Sequence, residues 1–102
     1  MAFLCLLELE LHLPDNTDLK GKRKELQSLK AQLRKRFGAA VAEVAHHDLW
    51  QRATLTTALV GRERRHLDET ADAVQRFVDA RFGDWVSWER TIVSTDEIMD
   101  HP

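Results

Sequence analysis

Cysteine is almost missing from this 102-residue chain. Cys5 stands alone, so no internal disulfide framework is available and a reducing cytoplasm is the expected setting. Long apolar runs are missing too. Ala2, Phe3, Leu4, Cys5, Leu6 and Leu7 have the character of a signal-peptide core. No basic residue precedes them, however, and Glu8 and Glu10 break the run well short of membrane-spanning length. A buried strand is the better reading, and no membrane partner is expected. Glycine is sparse and scattered (Gly21, Gly38, Gly61, Gly83), which excludes a glycine-rich phosphate loop. There is no HExxH or CxxC spacing, no solenoid repeat and no low-complexity segment.

Catalytic pairings are equally thin. Glu8 and Glu10 share a strand face, but alternating carboxylates on a solvated face are ordinary. Cys5 has no cationic neighbour in sequence and reads as an inert core thiol. The chain is therefore expected to be no enzyme, with no catalytic residue, no resident metal and no cofactor.

What is present is a soluble composition, 43% apolar and 31% charged, in a length that suits one core and not two. Residues 2–12 alternate, with Leu7, Leu9 and Leu11 on one side and Glu8, Glu10 and His12 on the other, the period of a strand. Leu4 and Leu6 make its first half apolar on both faces, which places it centrally or against a partner. Pro14 ends it, and residues 15–18 supply turn and helix-cap chemistry.

From Leu19 to Phe37 the period becomes helical: Leu19, Leu26, Leu29, Leu33 and Phe37 form a stripe, closed by Gly38. A short strand follows at 39–45 and a threonine-rich one at 53–60. A second helix at 63–82 carries Leu67, Ala71, Val74, Phe77 and Val78 on its apolar side. The last strand is expected at 85–93, which makes 1–93 the domain. Residues 94–102 read as a polar, flexible tail.

The order βαββαβ contains two split βαβ units. Right-handed crossovers interleave them into an α+β ferredoxin-like sandwich: a four-stranded antiparallel sheet, order 4-1-3-2, with both helices on one face. That topology gathers His12, His46, His47, Asp48, Trp50, Arg52 and Trp85 at one end of the sheet, where the first helix also begins.

Two readings compete there. A zinc or manganese site from His12, His46 or His47, and Asp48 suits imidazole and carboxylate chemistry and would make the chain a small metal-dependent enzyme. Against it, two strand spacings separate His12 from His46, about 9–10 Å. The plainer reading has Asp48 capping a helical turn while Leu49 and Trp50 fold back to plug the core.

Charge is unevenly placed. Residues 20–36 hold eight Lys/Arg against Glu25 alone, a local charge of +7, and the remainder carries −9. On a helical wheel Lys20, Arg23, Lys24, Lys30, Arg34 and Lys35 form one arc beside the leucine stripe, with Lys22 and Arg36 assigned to the other flank. Such a one-sided basic helix is the footprint of a polyanion partner, RNA or DNA, with Arg52, His46 and His47 as secondary anion contacts. The competing reading pairs it with Asp68, Glu69, Asp72 and Asp79 of the second helix. Base stacking on the two central strands, as in an RNA-recognition motif, is not expected, because Phe3 is their only aromatic residue.

Several of these segments together resemble one family. They are residues 9–14 (Leu-Glu-Leu-His-Leu-Pro), 19–23 (Leu-Lys-Gly-Lys-Arg), 41–44 (Val-Ala-Glu-Val) and 47–55 (His-Asp-Leu-Trp-Gln-Arg-Ala-Thr-Leu). The chain resembles the YlxP-like family of bacterial proteins of unknown function. The resemblance implies a ferredoxin-like fold and, from gene neighbourhoods rich in translation and ribosome-maturation functions, a ribosome-linked role. It implies no catalytic residue. Gly21 departs from the family pattern, which often has a charged helix former there, and leaves the stiffness of the first helical turn in question. The expectation is a non-catalytic accessory protein that binds RNA or a ribosomal particle, with a homodimeric interaction module on the open sheet face as the alternative.

Overall fold

The computed structural model describes residues 1–99 of the chain. Its elements are β1 (Phe3–His12), α1 (Leu19–Phe37), β2 (Ala40–Ala45), β3 (Arg52–Gly61), α2 (Arg64–Phe82), β4 (Val86–Ser94) and a short α3 (Thr95–Ile98). The four strands form one antiparallel sheet in the order β2-β3-β1-β4, the expected order read from the opposite edge.

The alternation of β1 decides the layering. Cys5, Leu7, Leu9 and Leu11 point toward the helices and are fully or almost fully buried. They meet Leu26, Leu29 and Leu33 of α1 and Leu67, Ala71, Val74 and Val78 of α2 in a single core. Each leucine buried in this way contributes roughly 1.5–3 kcal/mol of transfer free energy. Glu8, Glu10 and His12 face the other way, into solvent.

The chain's local signals explain the helix ends. The Asp18 carboxylate accepts the Gly21 N–H at 2.6 Å as an N-cap. Gly38, at φ 64°, closes α1 in the left-handed conformation that a side chain disfavours. Arg34, Lys35 and Arg36 occupy the last turn, where cations complement the helix dipole.

Two boundaries differ from expectation. Trp85 belongs to a 3-10 turn (Gly83–Trp85) before β4 and is half exposed. The expected flexible tail begins instead with the last residue of β4. Ser94 caps α3 in a reciprocal capping box with Glu97, and the Thr95 N–H donates to Ala2 O at 2.8 Å. A serine followed three residues later by glutamate carried this signal in the sequence. Residues 100–102 of the expected tail lie outside the described residues.

Burial pushes the Cys5 thiol pKa up, and nearby Asp68 adds to this while Arg90 opposes it. The folded state thus holds the thiol neutral at pH values where the unfolded chain loses its proton. Stability accordingly falls as pH rises past the thiol's unfolded pKa. A disulfide reagent is expected to leave Cys5 untouched in the native protein at mildly alkaline pH and to titrate one thiol per chain in denaturant. Rapid native labelling would contradict this placement.

Candidate nucleic-acid interface

Lys22 organises the end of the sheet where the candidate residues gather. At about 100° per residue it falls on the α1 wheel between Leu29 and Leu33, inside the apolar stripe and not on its flank. The structure buries it accordingly, to 1% exposure. Its ammonium donates to His46 O at 2.5 Å, Leu49 O at 2.7 Å and, at longer range, His47 O at 3.5 Å, and it forms an ion pair with Glu43 Oε2 at 2.8 Å. Glu43 Oε2 is buried and has no hydrogen-bond partner among the described residues, so the ion pair with that ammonium is what compensates its charge.

The loop between β2 and β3 is therefore fastened from inside by its carbonyls. His46 adopts a left-handed backbone (φ 63°), and a turn closes through Leu49 N–H to His46 O at 3.1 Å. This corrects the expected plug. Leu49 and Trp50 are 44% and 49% exposed, and Asp48 caps no helix, because residues 46–51 form turns only. An ammonium that gathers several carbonyls holds the loop where apolar side chains were expected to hold it.

The loop after β1 is stitched to the same place. Asn16 Nδ2 donates to Asp18 O at 2.8 Å and to Trp50 O at 2.5 Å, while Gln51 Nε2 reaches Pro14 O and Asn16 O. Gly21 belongs to this junction. A Cβ there would sit 2.6 Å from Asn16 Oδ1 and 3.0 Å from Asp18 Oδ1. A larger residue there would displace the Asn16 carboxamide that ties the loops.

The acidic side of α2 is engaged elsewhere. Arg90, on the inner face of β4, bonds Asp68 at 2.8 Å, Asp72 at 2.9 Å and Gln75. Burial pulls its guanidinium pKa down, but the Asp72 and Asp68 carboxylates outweigh this and raise it. Asp79 accepts Trp88 Nε1–H at 2.8 Å. The one ion pair between the helices among the described residues has the reverse polarity, Glu25 of α1 with Arg81 of α2 at 3.3 Å.

Among the described residues, no carboxylate lies at ion-pair distance from Lys20, Arg23, Lys24, Lys30, Arg34 or Lys35. All but the half-buried Lys30 are exposed. Arg34 has a second task, donating to Val41 O at 3.2 Å. His47 Nε2 lies 3.1 Å from Glu43 O and bonds it in the tautomer that carries the Nε2 proton. Two carbonyls of the edge strand β2 are thus covered by side chains, which blunts that edge. Arg36 lies 4.7 Å from the Phe77 ring centroid and bonds Gln32.

Arg52 sits apart from the stripe, on the open face opposite His12, and its nearest carboxylate is Glu10 at 4.0 Å. His12 in turn packs on Trp85 with ring centroids 5.4 Å apart. The expected gathering at one sheet end is present. Among the described residues, however, no three His, Cys, Asp or Glu side chains form a group that would hold a metal ion.

Four antiparallel strands with two long helices on one face define a ferredoxin-like α+β protein. The chain belongs to the family described as "Protein of unknown function (DUF503)", whose model matches residues 4–90. It is 28% identical over 89 residues to "Uncharacterized protein YlxP" of Bacillus subtilis (strain 168), covering 87% of this chain and 92% of that protein. Its backbone is similar to that of "De novo designed protein Foldit4", with TM-score 0.59 and 5% identity over 92% of this chain and 98% of that one, a likeness of fold alone. No helix among the described residues is long and apolar enough to cross a membrane.

Replacing Lys22 with Met strands Glu43 and the loop carbonyls, and is expected to cost about 3–5 kcal/mol in chemical denaturation. The Lys22→Met/Glu43→Gln double variant should recover part of that loss. Unchanged stability of Lys22→Met would refute the central role of the ammonium.

Proposed function

We propose that the protein is a non-catalytic accessory factor that binds RNA or a ribosomal particle through the exposed face of α1. One observation carries this reading: the α2 carboxylates are engaged by Arg90 and Trp88, while six cations of α1 have no carboxylate partner among the described residues. The charges cluster on one helix of a chain whose net charge is −2, so the local field is positive although the molecule is acidic. A row of lysines and arginines on a rigid helix suits a phosphate backbone, which it would position without reading sequence.

Such binding releases counterions and weakens steeply with salt. The Arg23→Glu/Lys24→Glu/Lys30→Glu variant is expected to lose co-sedimentation with ribosomal particles while keeping its circular dichroism spectrum. Arg34 is left in place because it holds Val41 O. Co-sedimentation that ignores both the substitutions and the salt concentration would end this reading.

A second reading, a homodimer through the open sheet face, is favoured by a specific patch. Leu4 pairs with Val60 and Val93, and Leu6 with Ala58, placing apolar residues side by side at one end of that face. Leu6 is 38% and Val60 73% exposed. Light scattering is expected to show a dimer for the natural chain and a monomer for Leu6→Glu. A monomer in both cases would dispose of the dimer.

A further inference from the structure

Two of the chain's three tryptophans are held half in solvent at the end of the sheet where α1 begins, Trp50 at 49% and Trp85 at 52% exposure. Neither position is loose. Trp50 lies in the loop that Lys22 fastens, and its carbonyl accepts from Asn16. Trp85 lies in the turn before β4 with the His12 ring against it. Beside Trp85 opens a cleft of about 380 Å³, lined among others by His12, Asp15, Asn16, Glu25 and Arg81. That volume is at the small end of the range of ligand sites, ~300–1,000 Å³.

The lining indicates what would enter. Arg81 is neutralised by Glu25, with which it pairs at 3.3 Å. Neither the His12 ring nor the Asp15 carboxylate makes a hydrogen bond among the described residues. A phosphate would be repelled by Asp15. A flat, neutral ring bearing an amino group would stack on Trp85 and donate to that carboxylate, the pairing by which acidic side chains read exocyclic amines. Lys20 and Lys24 stand exposed in the first turns of α1, which begins at this end of the sheet, and would take phosphates of the same strand. The open face of the central strands offers no such platform, being Leu4, Leu6, Glu8 and Glu10 against Val60, Ala58, Thr56 and Thr54.

We infer that the RNA is single-stranded where it meets this end, with an amino-bearing base stacked on Trp85 in the cleft, a neighbouring base on Trp50, and the backbone on α1. The inference rests on the RNA reading above and adds the chemical class of the ligand. Only unpaired bases present a free face for stacking.

The probe is oligoadenylate, alone and annealed as an adenine–uracil duplex, titrated against the full chain by fluorescence anisotropy with intrinsic tryptophan quenching. The single strand should bind about tenfold or more tightly than the duplex and quench the tryptophans. Trp85→Leu should lose about tenfold in single-strand affinity and Trp50→Leu somewhat less. Trp85→Phe should retain most of the affinity, which separates stacking from misfolding. Equal binding of both forms would overturn the base site. So would unchanged affinity of Trp85→Leu while charge reversal on α1 abolishes binding, and in that case the RNA reading stands. Failure of the natural chain to bind either form would instead remove the RNA reading, and the base site with it.

Discussion

The ammonium of Lys22 is a charge taken almost wholly out of water, and it persists there because each of its protons has an acceptor. Burying an unpaired ammonium would cost several kcal/mol even after relaxation. Here Glu43 supplies the opposite charge and the β2–β3 loop supplies backbone carbonyls, two of them bonded closely. The arrangement works in both directions. The loop satisfies the lysine, and the lysine fixes a loop that would otherwise have no core side chain to anchor it, since Leu49 and Trp50 stay half exposed. Other features of that end of the sheet sit around this contact: the left-handed turn at His46, the reach of Asn16 to Trp50, and the close approach of the Asn16 side chain to Gly21.

Charge segregation is the second organising fact. Helices lying side by side with opposite charges invite the assumption that they neutralise each other. The sheet prevents it. Alternation along β4 points Trp88 and Arg90 inward, under α2, and these two side chains meet Asp79, Asp68 and Asp72 first. With those acids engaged, the basic arc of α1 faces solvent. A face of six cations on a net-acidic molecule is the physical basis for the proposed polyanion partner.

The open face of the sheet is built differently. Its central strands carry leucine and valine at one end and carboxylates at the other, and Glu8 stands directly opposite Glu89 in register. Like charges placed so are mutually unfavourable. The covered carbonyls of β2 add a blunted edge. The aromatic surface lies instead at the rim, on turns whose backbones are pinned.

Much of this protein was determined by local pattern alone. Period two in β1, the leucine stripe of α1, Asp18 before it and Gly38 after it set the elements, and the right-handed crossover rule ordered them into the observed sheet. These features are legible because they depend on neighbours a few residues apart. The basic arc was legible for the same reason, but whether it was free was not. Arg90 is separated from Asp68 by 22 residues, and only packing decides which cation an acid meets first. Ser94 and Glu97 carried a cap signature that the polar composition of 94–102 obscured. Lys22 is the sharpest case. Its place on the wheel lay inside the apolar stripe, yet a lysine reads as surface until its partners are known. Those partners are backbone carbonyls more than 20 residues away, groups every residue possesses and no sequence pattern marks. The sequence by itself determined the elements and their order. The tertiary structure alone decided which charges are spent inside the fold and which are left in solvent.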